Sequence, residues 1–105
     1  MEIEYILREF KHQIAKLYGQ RLKKVVLYGS YARGQANDEH SDIDLAVVLA
    51  GAVEPCEEID RMADIFTELN LEHNVLIAVY PVSEGDFKKV ESPLLINVRK
   101  EGINV

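Results

Sequence analysis

The chain has 105 residues, 48% hydrophobic and 29% charged, with a formal net charge of −6. That length suits one domain over residues 1–105, with a modest core, and no apolar run reaches the roughly twenty residues of a membrane span. The acidic balance disfavours a long nucleic acid as main partner: phosphate recognition needs a basic surface, and only Arg21, Lys23 and Lys24 suggest a local one. The lone Cys56 rules out an internal disulfide and points to a reducing, cytoplasmic setting, and the acidic start Met1-Glu2-Ile3-Glu4 does not read as a signal peptide.

Ile3, Ile6, Leu7, Phe10, Ile14 and Leu17 recur at helical spacing, so a first helix is expected from about Glu2 to Tyr18, stopped by Gly19. Val25–Tyr28 is short, rich in β-branched residues and bounded by Gly29, as in a buried strand. Ser30 would cap a short helix through about Arg33, ended by Gly34. Residues 35–41 read as loop. Asp42–Leu49 reads as a second strand, broken by Gly51.

Pro55 suits the first position of a helix, with Glu57 and Glu58 in the turn where the dipole favours acids. Ile59, Met62, Ala63, Phe66 and Leu69 give that helix its apolar stripe. Val75–Tyr80 is a third strand, stopped by Pro81. Ser83 and Asp86 resemble a capping pair for a short helix carrying Phe87 and Val90. Ser92-Pro93 starts another helix, and Gly102 ends it. Alternating helices and strands predict an α/β fold, a small sheet with helices packed on it.

Two features carry chemistry. In a strand, residues i and i+2 share a face, about 7 Å apart along the chain, so Asp42 and Asp44 point the same way. Ala46 and Val48 continue that face as apolar residues, while Ile43, Leu45, Val47 and Leu49 fill the other. The repulsion between two such carboxylates is relieved by a hard divalent cation such as Mg²⁺, which takes one or two carboxylates plus phosphate oxygens. The second feature is Gly29-Ser30. Gly29 allows close backbone approach to a phosphate, Ser30 offers a hydroxyl, and Arg33, one turn on, offers a planar fork. Each feature alone is common in turns and strand ends. Their order, with Asp42 twelve positions after Ser30, is specific to a metal–nucleotide site.

The run Gly29-Ser30-Tyr31-Ala32-Arg33-Gly34, followed by Ser41-Asp42-Ile43-Asp44-Leu45, resembles the signature of the DNA polymerase β-like nucleotidyltransferase superfamily. The short length and the ending Ser92-Pro93-Leu94-Leu95-Ile96-Asn97-Val98-Arg99-Lys100-Glu101-Gly102 resemble its minimal members, the antitoxin halves of toxin–antitoxin pairs. The resemblance implies the nucleotidyltransferase fold, a small mixed β-sheet flanked by helices. It places ATP and Mg²⁺ at Gly29, Ser30, Asp42 and Asp44, and it implies a small helical HEPN-type ribonuclease toxin as partner. Asp42 and Asp44 would be the catalytic and metal-binding residues, and Gly29, Ser30 and Arg33 would bind the phosphates. AMP would pass to a protein hydroxyl, and an acceptor platform would come from the partner.

One departure stands out. The family has a third carboxylate on a neighbouring strand, and here that strand reads Val75-Leu76-Ile77-Ala78-Val79-Tyr80, with Ala78 at the expected place. The alternative reading is therefore a nucleotide-binding antitoxin that masks its toxin by contact. His40, beside the site in sequence, reads as a solvated loop residue, His12 and His73 lack partners at metal-ligand spacing, and Tyr5, Tyr18, Tyr28, Tyr80 and Cys56 read as packing. Acceptor, base preference and self-association, as a homo-oligomer or otherwise, stay open.

Overall fold

The computed structural model describes residues 3–34 and 42–105. In chain order the elements are α1 (Ile3–Tyr18), a 3₁₀ turn (Gly19–Arg21), β1 (Leu22–Tyr28), β2 (Ile43–Leu49), α2 (Pro55–His73), β3 (Ile77–Ser83), α3 (Glu84–Lys89), α4 (Pro93–Glu101) and β4 (Ile103–Asn104). The sheet order is β3-β2-β1-β4. β1 pairs antiparallel with β2 and with β4, and β2 pairs parallel with β3. The sheet is therefore mixed.

Period-two alternation sorts β2 onto two cores. Ile43, Leu45, Val47 and Leu49 join Val25, Leu27 and Ile77 beneath α1 and α2, against Ile6, Phe10, Ile14, Met62 and Leu69. Ala46 and Val48 face the other way, with Val26 and Val82, beneath Phe87 of α3 and Leu95 and Val98 of α4. Burial on both faces explains why β2 reads as one continuous apolar run once past Asp44.

Side-chain caps start the later helices. Glu54 accepts from the Cys56 amide, Ser83 from Asp86 and Ser92 from Leu95. Asn70 ends α2 in two ways: its carbonyl accepts from Val75, and its side-chain oxygen accepts from the Ile77 amide at 2.9 Å. Far from the aspartates, the end of α1 is tied to the start of α2 through Glu58. This carboxylate is 3% exposed and accepts from Tyr18 Oη, Arg61 and Arg21.

Several sequence expectations need correction. The third strand does not stop at Pro81; it runs to Ser83 with Pro81 inside it. The Ile43 amide donates to Leu76 O, which sets the ladder so that alternate amides from Ala78 onward face β2 and those of Ile77, Val79 and Pro81 face the sheet edge. A proline there removes no ladder bond. The first strand begins at Leu22 rather than Val25, because Leu22 and Lys24 already pair with Leu49 and Val48 of β2, with a shift of register between them. Gly102 does more than end a helix: it leads into β4, a two-residue strand too short to read from sequence. Residues 30–34 form a hydrogen-bonded turn, not a capped helix, so no helix dipole acts there. Cys56 is exposed rather than packed, Tyr5 is largely exposed with its ring edge-on to His73, and Val90 lies just past the end of α3 rather than on it. Among the described residues, no helix is long and apolar enough to cross a membrane.

Candidate functional site

β1 ends where β2 and β3 begin, so the Gly29 turn, the aspartates and the start of β3 share one end of the sheet. The backbone at Gly29 has φ +75°, and Arg33 N–H closes the turn by donating to Gly29 O at 3.2 Å. A Cβ on Gly29 would run into Asp44 Oδ2. Glycine is thus needed here both for the left-handed backbone and for close approach to the carboxylate.

Asp44 stands in register with Tyr28 of β1 on one side and Ala78 of β3 on the other. It is half-buried, on the face covered further along by α3 and α4. Asp42 lies just outside the strand and is exposed, not within it as the sequence suggested. Burial first, and then repulsion from Asp42, hold the Asp44 carboxyl above the ordinary aspartate range, while Arg33 pulls it down. Tyr28 responds to the same surroundings. Burial, then the negative charge of Asp44, then Tyr80, push its phenol up to about 12.

Arg33 reaches the end of α4, where its Nη1 donates to Glu101 Oε2 at 3.2 Å. α4 runs toward the candidate site because β4, which follows it, pairs Ile103 with Leu27 near the end of β1. The structure therefore gathers Gly29, Ser30, Arg33, Asp42 and Asp44 at one end of the sheet. His40 and the rest of 35–41 lie outside the described residues.

Glu101, Tyr28 and Tyr80 are neighbours of this cluster that sequence reasoning missed as such. Alternation from Val26 could have placed Tyr28 on the aspartate face, but the register against Asp44 could not be read. Nothing in the sequence signalled Glu101 beyond its position in the last turn of a helix.

The donor chemistry fits a hard divalent cation shared with phosphate. Two carboxylates at i and i+2 repel each other, and the glycine beside Asp44 lets that carboxylate lie directly against the turn. Among the described residues no third acid, histidine or cysteine joins them. On β3 the neighbouring position is Ala78, and just before the strand Leu76, 55% exposed, accepts a hydrogen bond at its carbonyl from the Ile43 amide.

Comparison with known proteins gives the family and the fold. The family model described as nucleotidyltransferase domain matches residues 7–102. A Methanocaldococcus jannaschii protein, named as a protein adenylyltransferase, is 38% identical over 103 residues, covering 97% of this chain and 96% of its own length. Two solved structures share the fold. One is a toxin–antitoxin with AMP-PNP, at TM-score 0.62 and 18% identity, covering 90% of this chain and 68% of that one. The other is an MNT antitoxin in complex with a tri-AMPylated HEPN toxin from Shewanella oneidensis, at TM-score 0.53 and 18% identity, covering 92% and 69%. Together with the Gly29 turn and the Asp42–Asp44 pair, the match over most of its length shows that this chain belongs to the nucleotidyltransferase domain family.

Proposed function

We propose that this chain is a cytoplasmic, Mg²⁺-dependent adenylyltransferase that moves AMP from ATP to a hydroxyl of a HEPN-type toxin and so acts as its antitoxin. The observation that carries this is the joint placement of Asp42, Asp44, the Gly29-Ser30 turn and Arg33 at one end of the sheet. Asp42 and Asp44 would hold the metal, which would supply charge neutralisation for the triphosphate. The Gly29-Ser30 turn lets backbone and hydroxyl approach the phosphates, and the Arg33 fork binds them. The acceptor oxygen attacks the α-phosphorus, the bond to the β-phosphate oxygen breaks, and pyrophosphate leaves. The acceptor proton has no β3 carboxylate to receive it.

That last point supports a second reading, in which the chain binds nucleotide and masks its toxin by contact without transfer. Ala78 stands beside Asp44 where a third acid would complete the metal site. Incubation with α-labelled ATP, Mg²⁺ and a candidate HEPN-type partner protein separates the two. Label on that protein, with loss of its ribonuclease activity, is expected. A complex that forms and silences the ribonuclease without label supports masking, and no interaction at all sinks both readings.

A further inference from the structure

Glu101 is an acid placed beside a site meant for a polyanion. A free carboxylate there would repel ATP. Instead it is paired with Arg33 at 3.2 Å, each side chain only partly exposed at 33% and 42%. Its backbone is held firmly. Val98, one turn earlier, is buried, and the Gly102 amide donates to Val98 O at 2.9 Å. A Cβ on Gly102 would collide with the Val26 side chain and the Val98 carbonyl, so α4 is seated directly on β1 at this point. β4 then pairs with β1. Glu101 is thus the tip of a braced arm.

Arg33 has the opposite character. It is a long side chain on a turn, and such a side chain has much rotamer freedom to lose. Asp44 also acts on it. Losing the Glu101 pair would strengthen the hold of Asp44 on the guanidinium and so neutralise a carboxylate that a metal needs.

We propose that Glu101 is a positioning residue for Arg33, fixing the guanidinium beside the phosphate site through the Nη1–Oε2 ion pair. This rests on the nucleotide-binding reading and adds to it the element that sets the geometry of the cation. It also links the α4–β4 end of the chain to the Gly29–Gly34 turn.

The test is a double-mutant cycle of MgATP affinity by calorimetry on the full chain, using Glu101→Gln, Arg33→Ala and the double variant. Glu101→Gln removes the charge from a partly exposed position and should fold normally by circular dichroism. It should weaken MgATP about three- to five-fold, as expected for a partly exposed pair. Arg33→Ala should weaken it about ten-fold or more. The double variant should lose no more than Arg33→Ala alone, because Glu101 acts only through Arg33. Adenosine, which lacks phosphates, should bind wild type and Glu101→Gln alike. Tighter MgATP binding by Glu101→Gln would make Glu101 a competitor and overturn the inference, as would an equal loss in the Arg33→Ala background. A wild type that binds MgATP with an unaffected Glu101→Gln overturns this inference alone; a wild type that does not bind MgATP overturns the nucleotide reading as well.

Discussion

Gly29 and Asp44 are packed so closely that no side chain fits between them: the first atom a Gly29 Cβ would meet is Asp44 Oδ2. The contact couples the backbone turn to the carboxylate. Gly29→Ala therefore carries two penalties, the left-handed backbone at φ +75° and displacement of Asp44. The first costs about 1–2 kcal/mol. Gly19 provides the control, with φ +57° and open space around a Cβ. Gly19→Ala should lower thermal stability by the backbone penalty alone and leave MgATP affinity unchanged. Gly29→Ala should lower stability by at least as much and reduce MgATP affinity about ten-fold or more. Equal affinities for the two variants would remove the Gly29–Asp44 contact from the site.

Asp44→Asn should stabilise the metal-free protein while weakening Mg²⁺-dependent ATP binding. Burial and Asp42 raise the folded pKa of Asp44 above its ordinary value of 3.8. Its ionised form is thus disfavoured by folding, a cost present at neutral pH that disappears as pH falls through the raised value. The gain from Asp44→Asn should be measurable by chemical denaturation at pH 7 and vanish below about pH 3.8. Saturating MgATP should reverse the ranking and make wild type the more stable protein. A variant that is less stable than wild type at pH 7 without metal would refute the repulsion argument.

The elements legible in the sequence were those whose signals are local. Alternation in β2 separated Ala46 and Val48 from Ile43, Leu45 and Val47, and the structure places the two sets in different cores. Ser83 and Ser92 marked helix starts that the side-chain caps occupy. Non-local relations were not legible. Whether Pro81 breaks a strand depends on which edge its nitrogen faces, and that is set by pairing with β2. Ser30 resembles a helix cap, yet the chain makes only one turn before Gly34, where φ is +71°. Glu58 looked like an acid placed for a helix dipole; its partners Tyr18 and Arg21 arrive from 40 and 37 positions away. In the candidate site, the short motif located Asp42, Asp44, Gly29, Ser30 and Arg33, while Glu101, 68 positions from Arg33, could only come from the fold.

Glu58 gives a prediction of opposite sign in acid. Burial alone would raise its carboxyl pKa, but hydrogen bonds from Tyr18 and Arg61, together with Arg21, outweigh that and hold it below the ordinary glutamate range. Burial first, and then the bond to Glu58 and its charge, push the Tyr18 phenol up, while Arg61 and Arg21 pull it down. The stability from Glu58 is present above about pH 4.5 and is lost as pH falls through the lowered folded value. Glu58→Gln should cost about 1–3 kcal/mol at pH 7, less than a fully buried pair because both arginines keep access to water. That corresponds to a melting-temperature drop of about 5–15 °C. The gap between Glu58→Gln and wild type should close on acidification; a gap that widens would show that the carboxylate is not the stabilised form. MgATP affinity should stay unchanged, since Glu58 lies at the far end of the sheet.

Ala78→Asp tests whether the absent third acid limits transfer. Ala78 is half-exposed and stands beside Asp44 in the parallel register, so an aspartate there shares a face with the existing pair. Three carboxylates together should lower metal-free stability and strengthen divalent-cation binding. If the missing base or ligand is what slows the reaction, labelling of the partner should rise by about 10²–10⁴-fold. Leu76→Asp is the companion variant, since Leu76 meets β2 at Ile43, next to Asp42 in sequence, and its exposure makes the change tolerable. A gain at one position and not the other tells which aspartate the third acid must accompany. Tighter metal binding without any gain in labelling, in both variants, would leave nucleotide-dependent masking as the function of the site. Wild-type labelling at about 1 s⁻¹ or faster would instead show that two aspartates suffice.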